Sequence, residues 1–486
     1  MKNRLFTLVV ILAGMTMGTA KATNVDLSSA REVGAHFFAQ MIGAKSPIAP
    51  EALVLAEQFD NPTLCIPSLY VFNVQDGGYV VVSACDGVEP ILAYSPSGEL
   101  NPNNMPEACR YMLQSYANLV AEHQNNNTSP CAEAASLWND MLTHSFHPTA
   151  DLSKATYLVK ARWDQDDPYN RFCPLDDRNN NQRCLTGCVA TAMAMIIHYW
   201  KFPTHGGLND RSVSNWHTAT TTWHYQNIRY KFAVDSNKFV FDSMPNSLTP
   251  RSEYNKVRAI GKLNFACGVT VKMSWGADGS GAHSEDVPNA LKYFKYDNAT
   301  YKSRVGTSDA TWVALLHTEI EDNARPVYYS ASDRNGTGRD AAGHAFVLSG
   351  CDPNDTKRFY INWGWGGSSD GYFTIAPLNS IESAGGYTFN SGHGVVYQIY
   401  PNPVSIEENT EFTTLQAYPN PTTDYLMIPA NFDCNLRMAV YSIDGKMVDN
   451  LIVPAGTQNY RLDVRNYPAG SYFYHLNGSA CKFVVE

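Results

Sequence analysis

Apolar and small residues run almost unbroken from Cys188 to Trp200, and no Gly or Pro interrupts them before Pro203. That run predicts one buried helix of about three to four turns, with Cys188 as its first residue. Amphipathic spacing predicts further helices over Ala30 to Ile42, Met105 to Ala121, Tyr254 to Phe265 and Trp312 to Asp322. Leu69 to Val74 and Tyr79 to Ser83, joined across Asp76-Gly77-Gly78, predict a hairpin. Short apolar runs predict strands at Pro326 to Ser330, Ala345 to Ser349, Arg358 to Asn362, Tyr372 to Ile375 and Val395 to Tyr400. Helices first and antiparallel strands second give a two-lobed α+β body with a cleft between the lobes. The polar and aromatic stretch from His205 to Asn246 is expected to form surface loops. From Met438 onward, short strands alternate with turns: Met438 to Ile443, Met447 to Val453, Tyr460 to Val464, Gly470 to Leu476 and Lys482 to Val485. Their spacing predicts a small β-sandwich.

The chain has 486 residues, which suggests two to four domains. Residues 1–22 carry Lys2 and Arg4, an apolar run from Leu5 to Ala13, and Ala20-Lys21-Ala22, the layout of a secretory signal cut after Ala22. A helix–hairpin–helix module fills residues 23–150, and its polar stretch Glu122 to Pro130 reads as a linker or exposed loop. The two-lobed body occupies 151–400 and the sandwich 401–486, entered through the acidic connector Glu407 to Glu411. A net charge of −10 and a pI near 5.7 argue against nucleic-acid or anionic-membrane partners. Beyond the N-terminus no apolar run reaches the roughly 18 residues a spanning helix requires, so no transmembrane segment is expected. Eleven cysteines include Cys184 four residues before Cys188, which a disulfide could pair with it, although a buried free thiol fits better. No Cys-x-x-Cys pair and no metal-ligand spacing is present, so neither a metal nor a cofactor is expected.

A thiol at a helix start feels the partial positive charge of unsatisfied N–H groups, which favours thiolate. Gly187 permits the sharp entry and Thr186 offers a capping side chain. The competing reading is an ordinary buried cysteine. A nucleophile needs a base, a group to orient it, and donors for an oxyanion. Gly343-His344-Ala345-Phe346-Val347 supplies a His at the head of an apolar run. Asn362-Trp363-Gly364-Trp365-Gly366-Gly367 ends a second run, and Gln165 lies in a loop ahead of Pro168-Tyr169-Asn170. A helix from Cys188 carries His198 about 15 Å away, which excludes His198 as the base.

These words, in the order Gln, Cys, His, Asn, resemble the streptopain branch of the papain-like cysteine peptidases over roughly residues 155–400. The resemblance implies Cys188 as nucleophile, His344 as general base and Gln165 as oxyanion donor, with Asn362 and Trp363 flanking the imidazole. Asn362 as a turn residue and Trp363 as core packing are the alternatives. The small-residue loop Ser274 to Ser284 resembles the family's substrate-binding loop, which would bring Gly279, Ser280 and Gly281 to substrate, and Gly343 beside His344 is a further substrate-binding candidate. Residues 333–340 read as a loop over the cleft mouth. The N-terminal module resembles the streptopain propeptide, implying a zymogen inhibited by its own propeptide. A separate binding domain is the alternative, and activation would need a cut between about Asn125 and Lys160.

Tyr418 to Asp424, Asp444-Gly445-Lys446, Pro468 to Tyr472 and Lys482 to Glu486 resemble the C-terminal sorting domains of type IX secretion cargo, the alternative being an adhesive or carbohydrate-binding sandwich. That implies engagement with a secretion machinery and passage through the periplasm to the medium or outer cell surface. The expected function is therefore that of a secreted cysteine endopeptidase acting on protein or peptide substrates. A non-catalytic surface or inhibitory protein on the same scaffold is the rival, and an amidase or transglutaminase a third option.

Overall fold

The computed structural model describes residues 21–126, 129–148, 157–176, 179–203, 213–221, 224–232, 239–332, 343–375, 391–401, 417–443, 446–476 and 479–486. Nearly all of the expected signal, the connector at 407–411, His205, Asp444-Gly445 and the 333–340 loop lie outside them. Among the described residues no helix is long and apolar enough to cross a membrane.

The N-terminal module holds helix α1 (Leu27–Met41), strands β1 (Leu53–Asp60), β2 (Pro67–Val74), β3 (Tyr79–Ser83) and β4 (Ile91–Ser95), and helices α2 (Glu107–Asn126) and α3 (Ala132–Leu142). Asp26 caps α1, its Oδ1 accepting from Ser29 N at 2.8 Å. The middle of the chain adds the short hairpin β5 (Leu175–Asp176) and β6 (Gln182–Arg183), then α4 (Cys188–Trp200), β7 (Val213–Thr221) and β8 (His224–Phe232). Next come α5 (Tyr254–Thr270), α6 (Val287–Lys292), β9 (Thr300–Ser303) and α7 (Asp309–His317), which runs on into a π-helical turn at Thr318–Asp322. Strands β10 (Val327–Ser332), β11 (Gly343–Asp352), β12 (Asp355–Asn362), β13 (Gly371–Thr374) and β14 (Ser391–Tyr397) complete it.

The stretch expected as surface loops thus contains the β7–β8 hairpin, paired from Val213↔Phe232 to Thr221↔His224. Thr, Tyr and Trp are abundant there, and Ile228, Tyr230 and Phe232 alternate with Arg229 and Lys231, a strand pattern the polar composition obscured.

One ten-stranded sheet, in the order β1-β2-β3-β4-β13-β12-β11-β10-β14-β9, runs through both regions. The seam is the antiparallel pair β4–β13, with Tyr94 opposite Tyr372 and Ala93 opposite Phe373. Side-chain alternation splits each strand between two faces. Tyr328, Ala345 and Val347 pack with α4, α5 and α6. Tyr329, Phe346 and Leu348 pack on the opposite face with α2 and α7, in one core with Trp363 and Phe373. The N-terminal module therefore shares the hydrophobic core of the central region instead of resting on its surface.

The tail is a sandwich of a four-stranded sheet and a two-stranded one. Strands β17 (Met447–Val453), β16 (Leu436–Ser442), β19 (Gly470–Leu476) and β20 (Ser479–Val485) form the first, and β15 (Tyr425–Pro429) with β18 (Asn459–Asp463) the second. Its core is separate, built on Leu426, Ile428, Val440, Tyr474 and Phe483.

Candidate active site

Helix α4 begins at an open end. Gly187 occupies the cap position with φ +86°, and a Cβ there would lie 2.8 Å from Met273 Cε and 2.9 Å from Ser280 O, so only glycine fits. The expected cap from Thr186 does not form. No side chain caps α4; Thr186 is buried, with its Oγ1 3.9 Å from Cys173 Sγ. The physical consequence is that the first-turn N–H groups stay free for the Cys188 sulfur.

Burial works against ionisation of Cys188. The His344 imidazole and hydrogen bonds from the Ala345 and Val189 backbone N–H groups outweigh it, holding the thiol below its ordinary range. His344 shows the mirror effect. Burial disfavours its charge, but the Cys188 thiolate, the Trp363 carbonyl and Glu107 raise it above the usual imidazole value. His344 stands near the start of β11, where Ala331 is its partner on β10. Its Nε2 donates to Trp363 O at 3.0 Å, which leaves Nδ1 as the nitrogen available to the sulfur.

Trp363 is fixed from three sides. Its N–H donates to Asp370 Oδ1 at 3.0 Å, its Nε1 donates to Ser369 O at 3.0 Å, and its ring packs on Phe346 and Phe373. The group at the imidazole is thus its backbone carbonyl, and the ring nearest His344 besides Phe346 belongs to Trp365, at 6.5 Å. Sequence reasoning passed over Trp365 because only its place in Trp363-Gly364-Trp365 marked it. Asp370 was missed as well. Burial pushes its carboxyl up to about 7, with the Trp363 N–H and Arg162 opposing.

Asn362 does not bond to the imidazole. Its Nδ2 donates to Ala161 O at 2.7 Å and its Oδ1 accepts from Gly364 N at 3.1 Å. It ties the segment leading to Gln165 to the turn that presents Trp363 O. Gln165 accepts from Thr186 N at 2.8 Å through its backbone carbonyl, while its buried Nε2 has no partner among the described residues. A buried, unpaired amide donor near the start of α4 is the kind of group that can receive an oxyanion.

Ser280 and Gly281 belong to a loop fastened beside Gly187. Ser280 Oγ donates to Leu185 O at 2.7 Å, and Gly281 and Ser274 exchange both backbone hydrogen bonds. Gly279 and Gly281 face open space. Gly343 is exposed at the head of β11. His198 lies elsewhere, its Nε2 3.1 Å from Met244 O and its ring on Trp163, and burial lowers its pKa to about 4. No disulfide joins Cys184 to Cys188.

The N-terminal module reaches this site. Tyr79 Oη donates to Ser369 O at 3.0 Å, the same carbonyl that holds the Trp363 indole, and Tyr116 Oη donates to Thr374 O at 2.7 Å. Glu107, at the start of α2 and bonded to Tyr111 Oη, lies close enough to raise His344.

Residues 163–373 match the Peptidase C10 family, residues 22–120 the Spi protease inhibitor, and residues 416–486 the secretion system C-terminal sorting domain. The central domain is a streptopain-like C10 peptidase domain. Streptopain of Streptococcus pyogenes is 29% identical over 355 residues, covering 69% of this chain and 81% of streptopain. The thiol protease/hemagglutinin PrtT of Porphyromonas gingivalis is 26% identical over 483 residues, covering 94% of this chain but 51% of that protein. A solved fragment of Prevotella intermedia prointerpain A shares the fold at a TM-score of 0.56 and 24% identity, covering 72% of this chain and 99% of the fragment. The C10 domain is thus a cysteine peptidase made with an inhibitory propeptide ahead of it and a type IX sorting tail behind, which implies secretion or an outer-surface location.

Proposed function

We propose that this C10 zymogen matures into a papain-like endopeptidase whose nucleophile is Cys188. The observation that carries the reading is the sulfur at the uncapped start of α4, where His344 and two backbone N–H groups favour its ionisation against burial. The Cys188 thiolate attacks a substrate carbonyl, and the oxyanion is received by Gln165 Nε2 and the Cys188 backbone N–H. The His344 imidazolium protonates the departing amine, which leaves an acyl-enzyme. His344, now neutral, takes a proton from water as it adds to the acyl carbonyl, and collapse frees the acid and the thiolate. Trp363 O, supported through Asn362 and Asp370, keeps the imidazole aimed. Gly279, Ser280, Gly281 and Gly343 line the substrate's path, where the three glycines lack side chains and the Ser280 hydroxyl is turned to Leu185 O, so a peptide backbone can approach.

Residues 1–22 are the export signal, 23–150 the propeptide, 151–400 the peptidase and 401–486 the sorting domain, with passage through the periplasm. Release requires a cut between about Asn125 and Lys160, made by the enzyme itself. Labelling secreted protein with an epoxide thiol inactivator, with the modified residue located by mass spectrometry, tests the assignment. Modification at Cys188 together with loss of casein digestion is expected. Labelling at another cysteine, or casein digestion surviving complete modification of Cys188, would overturn it.

A further inference from the structure

Far from the cleft, three potential metal ligands meet. His317 ends α7, Glu321 lies in the π-helical turn that follows, and Cys351 sits at the far end of β11. One ligand atom from each, His Nδ1, a carboxylate oxygen and Cys Sγ, all lie within 4.8 Å of one another. Seven residues of strand separate Cys351 from His344, about 23 Å, so this cluster is no part of the catalytic site.

The hydrogen bonding at His317 supplies a second observation. Nε2 is 2.8 Å from Thr356 O, a carbonyl that can only accept, so Nε2 carries the proton. In a neutral imidazole Nδ1 then presents a lone pair, and it faces Glu321 Oε2 at 2.7 Å. Two acceptors that close require a cation between them. A second ring proton is one solution; a metal ion is the other, and it would also engage the Cys351 sulfur, which otherwise only packs against the core. A backbone carbonyl fixing the outer ring nitrogen while the inner one faces an acid and a thiol is the outer-shell arrangement that orients a metal-binding histidine. The Phe359 ring, 5.2 Å from His317, walls one side, and Phe359 is also the strand partner of Cys351.

We propose that His317 Nδ1, a Glu321 carboxylate oxygen and Cys351 Sγ bind a borderline divalent cation, zinc foremost, with water as the fourth ligand. Nitrogen, oxygen and sulfur donors at bond lengths of about 2.0–2.3 Å stand roughly 3.4–3.8 Å apart in a tetrahedron, so the imidazole and carboxylate part by under about 1 Å to admit the ion. Binding displaces the thiol proton to solvent, and the ion's charge offsets that of the thiolate. The ion would fasten the strand that carries His344 to the turn at Asp322 and Asn323, on which the tail rests through Arg437 and Asn450. Sequence spacing gave no sign of it, because 30 positions separate Glu321 from Cys351 and only the fold closes the gap.

The test uses full-length Cys188→Ala protein, which removes the competing catalytic thiol and self-digestion. Cobalt(II) added as a spectroscopic probe is expected to give a thiolate-to-metal charge-transfer band, and zinc to displace it at one equivalent. Cys351→Ser should abolish the band. Glu321→Gln, at an exposed position, should weaken zinc by more than the roughly 10–100-fold that loss of an outer-shell partner costs. No band in the Cys188→Ala protein would overturn the proposal, as would an equal band after Cys351→Ser or zinc affinity indifferent to Glu321→Gln. Those results would leave a protonated imidazole between the two acceptors.

Discussion

On the proposed reading, the sulfur at position 188 is favoured as a thiolate because the His344 imidazole and the Ala345 and Val189 N–H groups converge on it. Thr186 turned away from the helix end is therefore a favourable feature. Replacing Gln165 with Ala should lower kcat by about 10²–10³ with little change in KM, read by steady-state kinetics on a peptide substrate, because the amide is needed only once the oxyanion forms. Asp370 lends itself to a stability measurement. Its folded pKa of about 7 lies above the unfolded value of 3.8, so its contribution is fully present below about pH 4 and is lost as pH rises through 7. Asp370→Asn keeps an acceptor for the Trp363 N–H and removes that loss. Urea denaturation should find it near wild type at pH 4 and increasingly more stable toward pH 7, by up to about 1.4 kcal/mol per pH unit. Equal stabilities at both ends would contradict a buried, proton-holding carboxyl. At this scale Cys188, His344 and Gln165 could be proposed from sequence because side-chain chemistry marks them as candidates. Trp363 meets the imidazole through its main-chain carbonyl and Asn362 bonds to Ala161 O, and neither contact has a signature in side-chain type.

At the scale of elements, the entry to α4 depends on a left-handed residue squeezed between Met273 and the carbonyl of Ser280. Gly187→Ala should preserve the fold, judged by circular dichroism, while displacing the helix start and cutting kcat/KM by at least about 10²-fold. The periodicity of α4, the β2–β3 hairpin and β10 to β12 was readable because each buries one face or is wholly apolar. Strand β4 and helix α3 escaped notice, since five residues at Ile91–Ser95 and a mixed run at Ala132–Leu142 gain their burial from partners distant in the chain. The seam between β4 and β13 was unreadable for the same reason: only four residues of β13 define it. Tyr79→Phe removes one hydrogen bond across that seam, to Ser369 O. Propeptide affinity, measured by adding it in trans to mature enzyme, should fall by about 0.5–1.5 kcal/mol. An unchanged inhibition constant would argue against this contact as a clamp.

For the whole molecule, propeptide and peptidase share one sheet and one core, so removing the propeptide turns β13 into an edge and bares the apolar surface beneath α2. The tail is joined more lightly. Asn435 caps the far end of α4, its N–H to Trp200 O at 3.0 Å and its Nδ2 to Tyr199 O at 2.6 Å, roughly 20 Å of helix away from Cys188. Deleting residues 417–486 should therefore leave peptide hydrolysis within about twofold, while abolishing export in a host with the cognate machinery. Domain order was legible from composition and turn words; the fusion of two domains into one sheet was not.

The most direct measurement is the pH dependence of iodoacetamide alkylation at Cys188, resolved from the other ten cysteines by mass spectrometry, in wild type and His344→Ala. Ionisation below the ordinary thiol range in the wild type, moving upward without the imidazole, is the expected result. A thiol that titrates at or above the ordinary value in both proteins would contradict the thiolate at the head of α4.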